Sequence, residues 1–263
     1  MCSSQQNHTE TVPVVGFWLG SWRVSLDRRA FKTDTLRTYY DQLAESWSGI
    51  IGRLGYREAY RDCFKSLPDL TDKLQSQDTM SVLECGIGAG DLSLALADVV
   101  DCQIEVSGVD ISTKMCEVAK NRLGAIEIKN KIIDADAHKL PFHDNTFDLV
   151  MCAHLLEHSP QPIEILAEMH RVVKPGGQII VCITRRSMFG LWIHLRWRAQ
   201  MLSSQVASDL LTSARFESVE EIDISKGMIF KNMSFALRAR KVRQSAGIHR
   251  VQSVHLHCTP AIK

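Results

Sequence analysis

The sequence predicts an α/β fold, a doubly wound, mostly parallel sheet with helices on both faces, and three observations carry that prediction. From Met80 onward, short apolar runs alternate with stretches of helical periodicity, the pattern of strands joined by crossover helices. Val82-Leu83-Glu84-Cys85 reads as a strand that ends in an acid and runs directly into Gly86-Ile87-Gly88-Ala89-Gly90-Asp91, with glycines spaced two apart. Further carboxylates stand at the ends of later apolar runs, at Asp110, Asp134 and Asp136. In such a sheet the loops at the carboxyl ends hold ligands, where the strand order reverses.

Taken in order, residues 1–33 form an N-terminal arm. A polar run from Ser3 to Thr11 precedes a short apolar patch with Phe17, Trp18 and Trp22, and little regular structure is expected there. Residues 34–76 read as helical. Leu36, Tyr39, Tyr40, Leu43 and Trp47 fall at helical spacing, with Gly49 as a stop. Tyr56, Ala59, Tyr60, Cys63, Phe64 and Leu67 repeat on one face of a second helix, and Pro68 ends it. Strands are expected at 81–85, 104–109, 131–134, 147–152 and 178–183, and helices at 91–99, 113–123, 161–173 and 204–214. Two more strands, 216–224 and 234–240, flank a turn containing Gly227 and bring the sheet to seven. Between the fifth strand and the next helix lies 185–203, an insertion whose stretch from Arg185 to Arg198 holds arginines and tryptophans and no acid. Residues 242–263 make a basic tail with little periodicity.

The glycine loop is the first candidate site. Alternate glycines let the backbone take positive φ and leave no Cβ in the way, so a ligand can lie against bare peptide and the N-terminus of the helix beginning near Asp91. A tight turn alone would use the same residues. The spacing is GxGxG, not GxGxxG, and Glu84 stands two residues before it, where an acid repels a pyrophosphate and suits a cation. Asp110, 20 residues beyond Gly90, is placed to accept the hydroxyl protons of a ribose. Its alternative is a turn or cap, a task for which Ser112 is better suited.

Composition bounds the rest. With 45% hydrophobic and 23% charged residues and a formal net charge of +1, the chain is an ordinary globular protein and lacks the charge of a dedicated nucleic-acid binder. No acid follows Asp223, whereas Lys226, Lys231, Arg238, Arg240, Lys241, Arg243, Arg250 and Lys263 do; this is a solvated basic edge or an attraction to anionic substrate or lipid headgroups. Eight cysteines without a CxxC pair read as buried thiols of a reducing compartment. The run from Val12 to Leu19 is far short of the roughly 20 residues a span needs. A cytoplasmic chain without a transmembrane segment is expected, with peripheral membrane contact left open.

His154-Leu155-Leu156-Glu157-His158 matches H-x-x-E-H, which in a helix binds zinc. Here the motif follows an apolar strand, and Pro160 and Pro162 interrupt any helix, so no metal is expected. An imidazole at this place can also take a proton near neutral pH or be structural.

Glu84-x-Gly86-x-Gly88-x-Gly90 resembles the first motif of class I S-adenosylmethionine-dependent methyltransferases. Gly108-Val109-Asp110-Ile111-Ser112 is similar to the end of their second strand, Asp134 to Phe142 to the third, Phe147-Asp148-Leu149-Val150 to the fourth, and Arg171 to Gly177 to the turn before the fifth. The likeness runs from roughly Met80 to Lys241 and is of the ubiquinone/menaquinone-biosynthesis type. It implies a Rossmann-like seven-stranded sheet with an antiparallel last strand, a helical lid at 34–76, and an S-adenosyl-L-methionine-binding domain at 77–241 in which 185–203 covers the substrate. It implies cofactor binding by Glu84, Gly86, Gly88, Gly90, Asp110, Ile111, Asp136, Ala137, His154 and Tyr39, with Asp136 accepting the adenine amine. His158 and Tyr40 become candidate catalytic groups. The expected activity is direct in-line methyl transfer to a small-molecule or lipid-like acceptor. Nucleic acid is not an expected substrate, since Ala153-His154-Leu155-Leu156 stands where DNA-adenine enzymes carry Asn/Asp-Pro-Pro-aromatic. The alternatives are a non-catalytic cofactor-binding regulator or scaffold and, on H-x-x-E-H, a zinc hydrolase.

Overall fold

The chain is described here by a computed structural model covering residues 11–19, 21–29, 33–67, 79–185, 200, 202–222 and 234–243. Thr11–Leu19 (β1) and Trp22–Arg29 (β2) pair antiparallel, Leu19 opposite Trp22. The arm expected to lack regular structure therefore contains a hairpin. Thr33–Arg53 is α1 and runs through Gly49, since one glycine costs a helix only about 1 kcal/mol relative to alanine. Tyr56–Lys65 is α2.

The remaining elements alternate as the sequence predicts. They are β3 (Thr79–Cys85), α3 (Asp91–Ala97), β4 (Gln103–Asp110), α4 (Thr113–Gly124), β5 (Lys129–Asp134) and β6 (Phe147–Ala153). A 3-10 turn (Leu156–His158), α5 (Pro162–Val172), β7 (Val173–Thr184), α6 (Ser204–Ser213), β8 (Phe216–Ile222) and β9 (Ser234–Lys241) follow. Ser112 caps α4 by accepting the Met115 N–H, and Ser203 caps α6 through the Val206 N–H.

Seven strands form one sheet in the order β5-β4-β3-β6-β7-β9-β8. β3 to β7 run parallel, while β9 is antiparallel to both β7 and β8. The chain leaves β3 outward through β4 to β5, then returns to β6 on the other side. That reversal opens a crevice at the carboxyl ends of β3 and β6, where Cys85 stands level with Val109 and Cys152.

The pleat divides the core in two. Val82, Val106, Leu149 and Met151 pack with Phe64 of α2, Leu92 of α3 and Leu123 of α4. Leu83, Val109, Val150 and Val181 pack with Leu166 and Met169 of α5 and Leu211 of α6. Both faces of β3 are thus covered, as a central parallel strand requires. Cys63, Cys85, Cys116, Cys152 and Cys182 are buried free thiols. No helix among the described residues is long and apolar enough to cross a membrane.

Candidate functional site

A cavity of about 500 Å³ lies at the carboxyl edge, walled by the loop after β3, the ends of β4 and β6, the 135–138 segment and α1. Gly86, Gly88 and Gly90 all have positive φ, at 66°, 50° and 80°. A Cβ on Gly88 would meet only Trp47 Nε1, at 3.8 Å, so this peptide faces open space. Gly90 instead abuts Ala119 and Leu123 and is not on the cavity wall. Its role is to let α3 pack against α4.

The loop is held from below by its acids. Asp110 Oδ2 accepts the Gly88 N–H and Oδ1 the Ser112 N–H, each at 2.9 Å. Burial raises its carboxyl, against the pull of these two amides. Arg122 ties the same loop down by donating to Ala89 O and pairing with Asp91 at 2.9 Å.

Glu84, 2% exposed at the cavity wall, accepts the Ser93 N–H at 3.0 Å and the Ser93 hydroxyl through the same oxygen. Burial pushes its carboxyl up to about 8, with the two Ser93 bonds opposing. A carboxyl that is protonated when folded and ionised when unfolded costs stability as pH climbs from the ordinary carboxylate value to about 8. A cation bound beside it reverses the preference and expels the proton. Cofactor affinity is therefore expected to rise between about pH 5 and 8, with proton release at neutral pH in calorimetry run in two buffers of different ionisation enthalpy. A pH-independent affinity without proton release would remove Glu84 from contact with the cation.

α1 lies across the opening. Asp41 accepts the Ser112 hydroxyl at 2.5 Å and Arg37 pairs with Asp134 at 3.2 Å. Leu36, Tyr40 and Trp47 share one helical stripe and line the cavity. Tyr39 is not among the lining residues; its ring stands edge-on to Tyr40, 6.3 Å away. Tyr39, expected at the cofactor, therefore lies off the stripe of α1 that lines the cavity, which Leu36, Tyr40 and Trp47 form.

Asp136 and Ala137 line the opposite wall. Asp136 Oδ1 accepts the His138 N–H at 2.9 Å and lies 2.6 Å from His138 Nδ1, while His138 Nε2 lies 2.8 Å from the Ser159 hydroxyl. Burial works against ionisation of Asp136, but the bonds to His138 prevail and lower its carboxyl. His138 therefore links the Asp136 loop to the segment after β6. The sequence reading missed His138, Ser159, Trp47 and Ser93, because each takes its place from a partner in another element of the fold.

His154 directly follows β6 and has φ of 54°, a left-handed conformation uncommon for a side-chain-bearing residue. Its Nδ1 lies 3.0 Å from the Thr184 hydroxyl. His158 also faces the cavity, with Nε2 3.2 Å from the Tyr40 hydroxyl. The Tyr40 ring is edge-on to both His158 and Trp47. The H-x-x-E-H segment is thus a strand end and a 3-10 turn, not a helix, and no three metal-ligating side chains converge among the described residues. Of the 185–203 insertion, residues 186–199 and 201 lie outside the described residues, as does the tail beyond 243.

A peptide loop open to the cavity, a buried acid suited to a cation and a carboxylate at the end of the neighbouring strand together fit S-adenosyl-L-methionine. Comparison with known proteins agrees. Residues 83–181 match the methyltransferase domain family Methyltransf_11. The demethylmenaquinone methyltransferase of Staphylococcus aureus (strain MRSA252) is 40% identical over 104 residues, 40% of this chain and 42% of that protein. The demethylmenaquinone methyltransferase of Geobacillus stearothermophilus is 34% identical over 149 residues, 56% of this chain and 63% of that protein. The chain thus spans about half the length of these curated relatives. Among solved structures, the cyclase SpnF superposes with a TM-score of 0.63 at 19% identity, covering 81% of this chain and 97% of that one. This likeness extends to the fold alone, and a cyclase on the same fold shows that the fold does not dictate the reaction. Residues 83–181 thus make up a methyltransferase domain, similar to those of class I S-adenosylmethionine-dependent methyltransferases of the ubiquinone/menaquinone type, and S-adenosyl-L-methionine is the cofactor that these similarities support.

Proposed function

We propose that this chain methylates a quinol-like small molecule, an aromatic ring bearing a hydroxyl group. The observation that carries the reading is one cavity lined by the glycine loop, Asp110 and Asp136 and also by the neighbouring rings of Tyr40, Trp47 and His158. Asp110 and the loop would hold the ribose and methionine portions of the cofactor, Asp136 and Ala137 the adenine, and Glu84 the cationic end. When bound, S-adenosyl-L-methionine supplies a methyl group already activated by its positive sulfur. What the chain adds is alignment, which is worth several orders of magnitude in rate, and a place for the acceptor's proton. Tyr40 and Trp47 offer ring faces and edges to a flat acceptor. Burial pushes the Tyr40 hydroxyl well up, so it stays protonated, and its 3.2 Å contact with His158 Nε2 gives the acceptor hydroxyl a route to a base. The names of the curated relatives support a quinone-type ring.

The test is transfer of labelled methyl to reduced short-chain naphthoquinones and benzoquinones, with fatty acids and phospholipids as controls. His158→Gln is expected to lower kcat about a hundredfold, the usual contribution of a positioned base, while cofactor affinity holds. Label in the lipids alone would overturn the acceptor class. Cofactor binding with no transfer to extracts or quinols would instead favour a regulatory or scaffold role.

A further inference from the structure

Asp136 and His138 line the cavity from the loop after β5, and His158 and Ser159 line it from the turn after β6. Asp136 Oδ1 takes the His138 N–H at 2.9 Å and lies 2.6 Å from His138 Nδ1, while Oδ2 has no hydrogen bond among the described residues. A carboxylate only accepts, so Nδ1 donates and Nε2 is left for the Ser159 hydroxyl, 2.8 Å away. The Ser159 oxygen already accepts the Gln161 N–H at 3.0 Å, which leaves its own proton to point at the ring. This imidazole does not fill the core: its side chain keeps 31% exposure, and the two segments it joins are walls of one cavity. Ser159 is 4% exposed, and its turn is gripped from the other side by Gln200, whose N–H donates to Glu157 O at 2.6 Å and whose side-chain amide donates to Ser159 O. His158 lies between those two gripped residues, with Nε2 3.2 Å from the Tyr40 hydroxyl.

We propose that His138 is a positioning residue for both ends of the cavity: through Asp136 it selects a 6-amino purine, and through Ser159 it transmits that occupancy to His158. This rests on the assignment of the adenine to Asp136 in the reading above and deepens it. With Oδ1 pinned by two bonds, the carboxylate cannot swing, and Oδ2 is left to accept an exocyclic amine. A 6-oxo purine would present an oxygen to the same carboxylate and be repelled.

The relay is short and stiff. Both bonds to Asp136 end on a charged oxygen, the strong kind, and the imidazole between Asp136 and Ser159 is a rigid ring. From Ser159 the tie reaches His158 across one peptide bond. An adenine that fixes Asp136 therefore fixes the cavity side of a turn whose far side Gln200 already holds. The acceptor end, where His158 meets Tyr40, settles when an adenine nucleoside is in place. The coupling is reciprocal, so whatever settles His158 also tightens the hold on adenosine.

The test needs no turnover. Adenosine and inosine are the probes, since neither carries the methionine end that would lie near His158. Titrated into the wild-type chain with nitrogen-labelled histidine rings, adenosine is expected to bind roughly tenfold to a hundredfold more tightly than inosine, the worth of one hydrogen bond to a charged group. It should also move the His158 ring resonances. Ser159→Ala should keep the preference and lose the His158 response. His138→Asn should do the same, because its amide still reaches Asp136 but falls short of Ser159. His138→Ala should lose the response and most of the preference. Equal affinity of the wild-type chain for the two nucleosides would overturn the inference, as would a His158 response that survives in Ser159→Ala. Variants that melt at lower temperature yet keep both preference and response would reduce His138 to a structural staple. The methyl-transfer reading fails separately: preference and response intact, with no labelled methyl reaching any acceptor, would sink that reading and leave His138 in this role.

Discussion

Replacing Gly88 by valine is expected to abolish cofactor binding and leave a folded chain. The protein itself has room for the side chain, since the nearest atom to a Cβ there is Trp47 Nε1 at 3.8 Å. The added methyls would occupy the cavity where the ligand lies against peptide. Valine also resists the positive φ of 50° at this position, a strain of about 1–2 kcal/mol that pulls the loop off the geometry set by Asp110. Both effects fall on the loop and neither falls on the core. At Gly108 the contrast is direct, because a Cβ would sit 2.5 Å from Ile87 Cδ1 and 3.0 Å from Ile132 Cδ1, and alanine should lower the melting temperature there. Calorimetry and thermal melts on both variants separate the cases. Retained affinity in Gly88→Val would remove the loop from the binding site.

The sequence disclosed the sheet better than the site. Strands such as Phe147–Ala153 and Thr79–Cys85 are largely apolar runs that lead into the loops of the crevice, and burial on both faces makes that pattern nearly obligatory. The hairpin was legible in part: Trp22-Arg23-Val24-Ser25-Leu26-Asp27 alternates with period two, and only two residues separate it from Leu19. Gly16 interrupts the preceding run and hides its partner. Local motifs also located Glu84, Asp110, Asp136 and His158 on the cavity wall, because a strand end fixes where its last side chain points. What stayed hidden is whatever depends on a distant partner. The Ser93 bonds to Glu84, the His138 link to Ser159 and the clamp of Asp41 on Ser112 each join elements whose approach is set by tertiary packing. The left-handed backbone at His154 carries only a weak sequence signal, since histidine is enriched in that region but enters it too rarely to announce it.

Asp110→Ala is expected to weaken cofactor binding on the order of a hundredfold, ~2.8 kcal/mol, by two separable routes. The carboxylate accepts the Gly88 and Ser112 amides at 2.9 Å each, so its loss frees the loop and leaves two donors to find water. Each such bond to a charged group contributes about 1.5–3 kcal/mol, part of which would appear as lower stability of the ligand-free chain. The second route is the contact we assign to the ribose hydroxyls. Lone pairs not used by the two amides remain available on both carboxylate oxygens, and Asp110 stands on the cavity wall. A cofactor analogue lacking both ribose hydroxyls distinguishes the routes. If Asp110 contacts the ribose, the wild-type chain should bind the analogue more weakly than the cofactor, while Asp110→Ala should bind the two nearly alike, a coupling that a loop-scaffolding role would not produce. Equal losses for the analogue in both chains would leave Asp110 as the anchor of the glycine loop and move the ribose contact elsewhere on the wall.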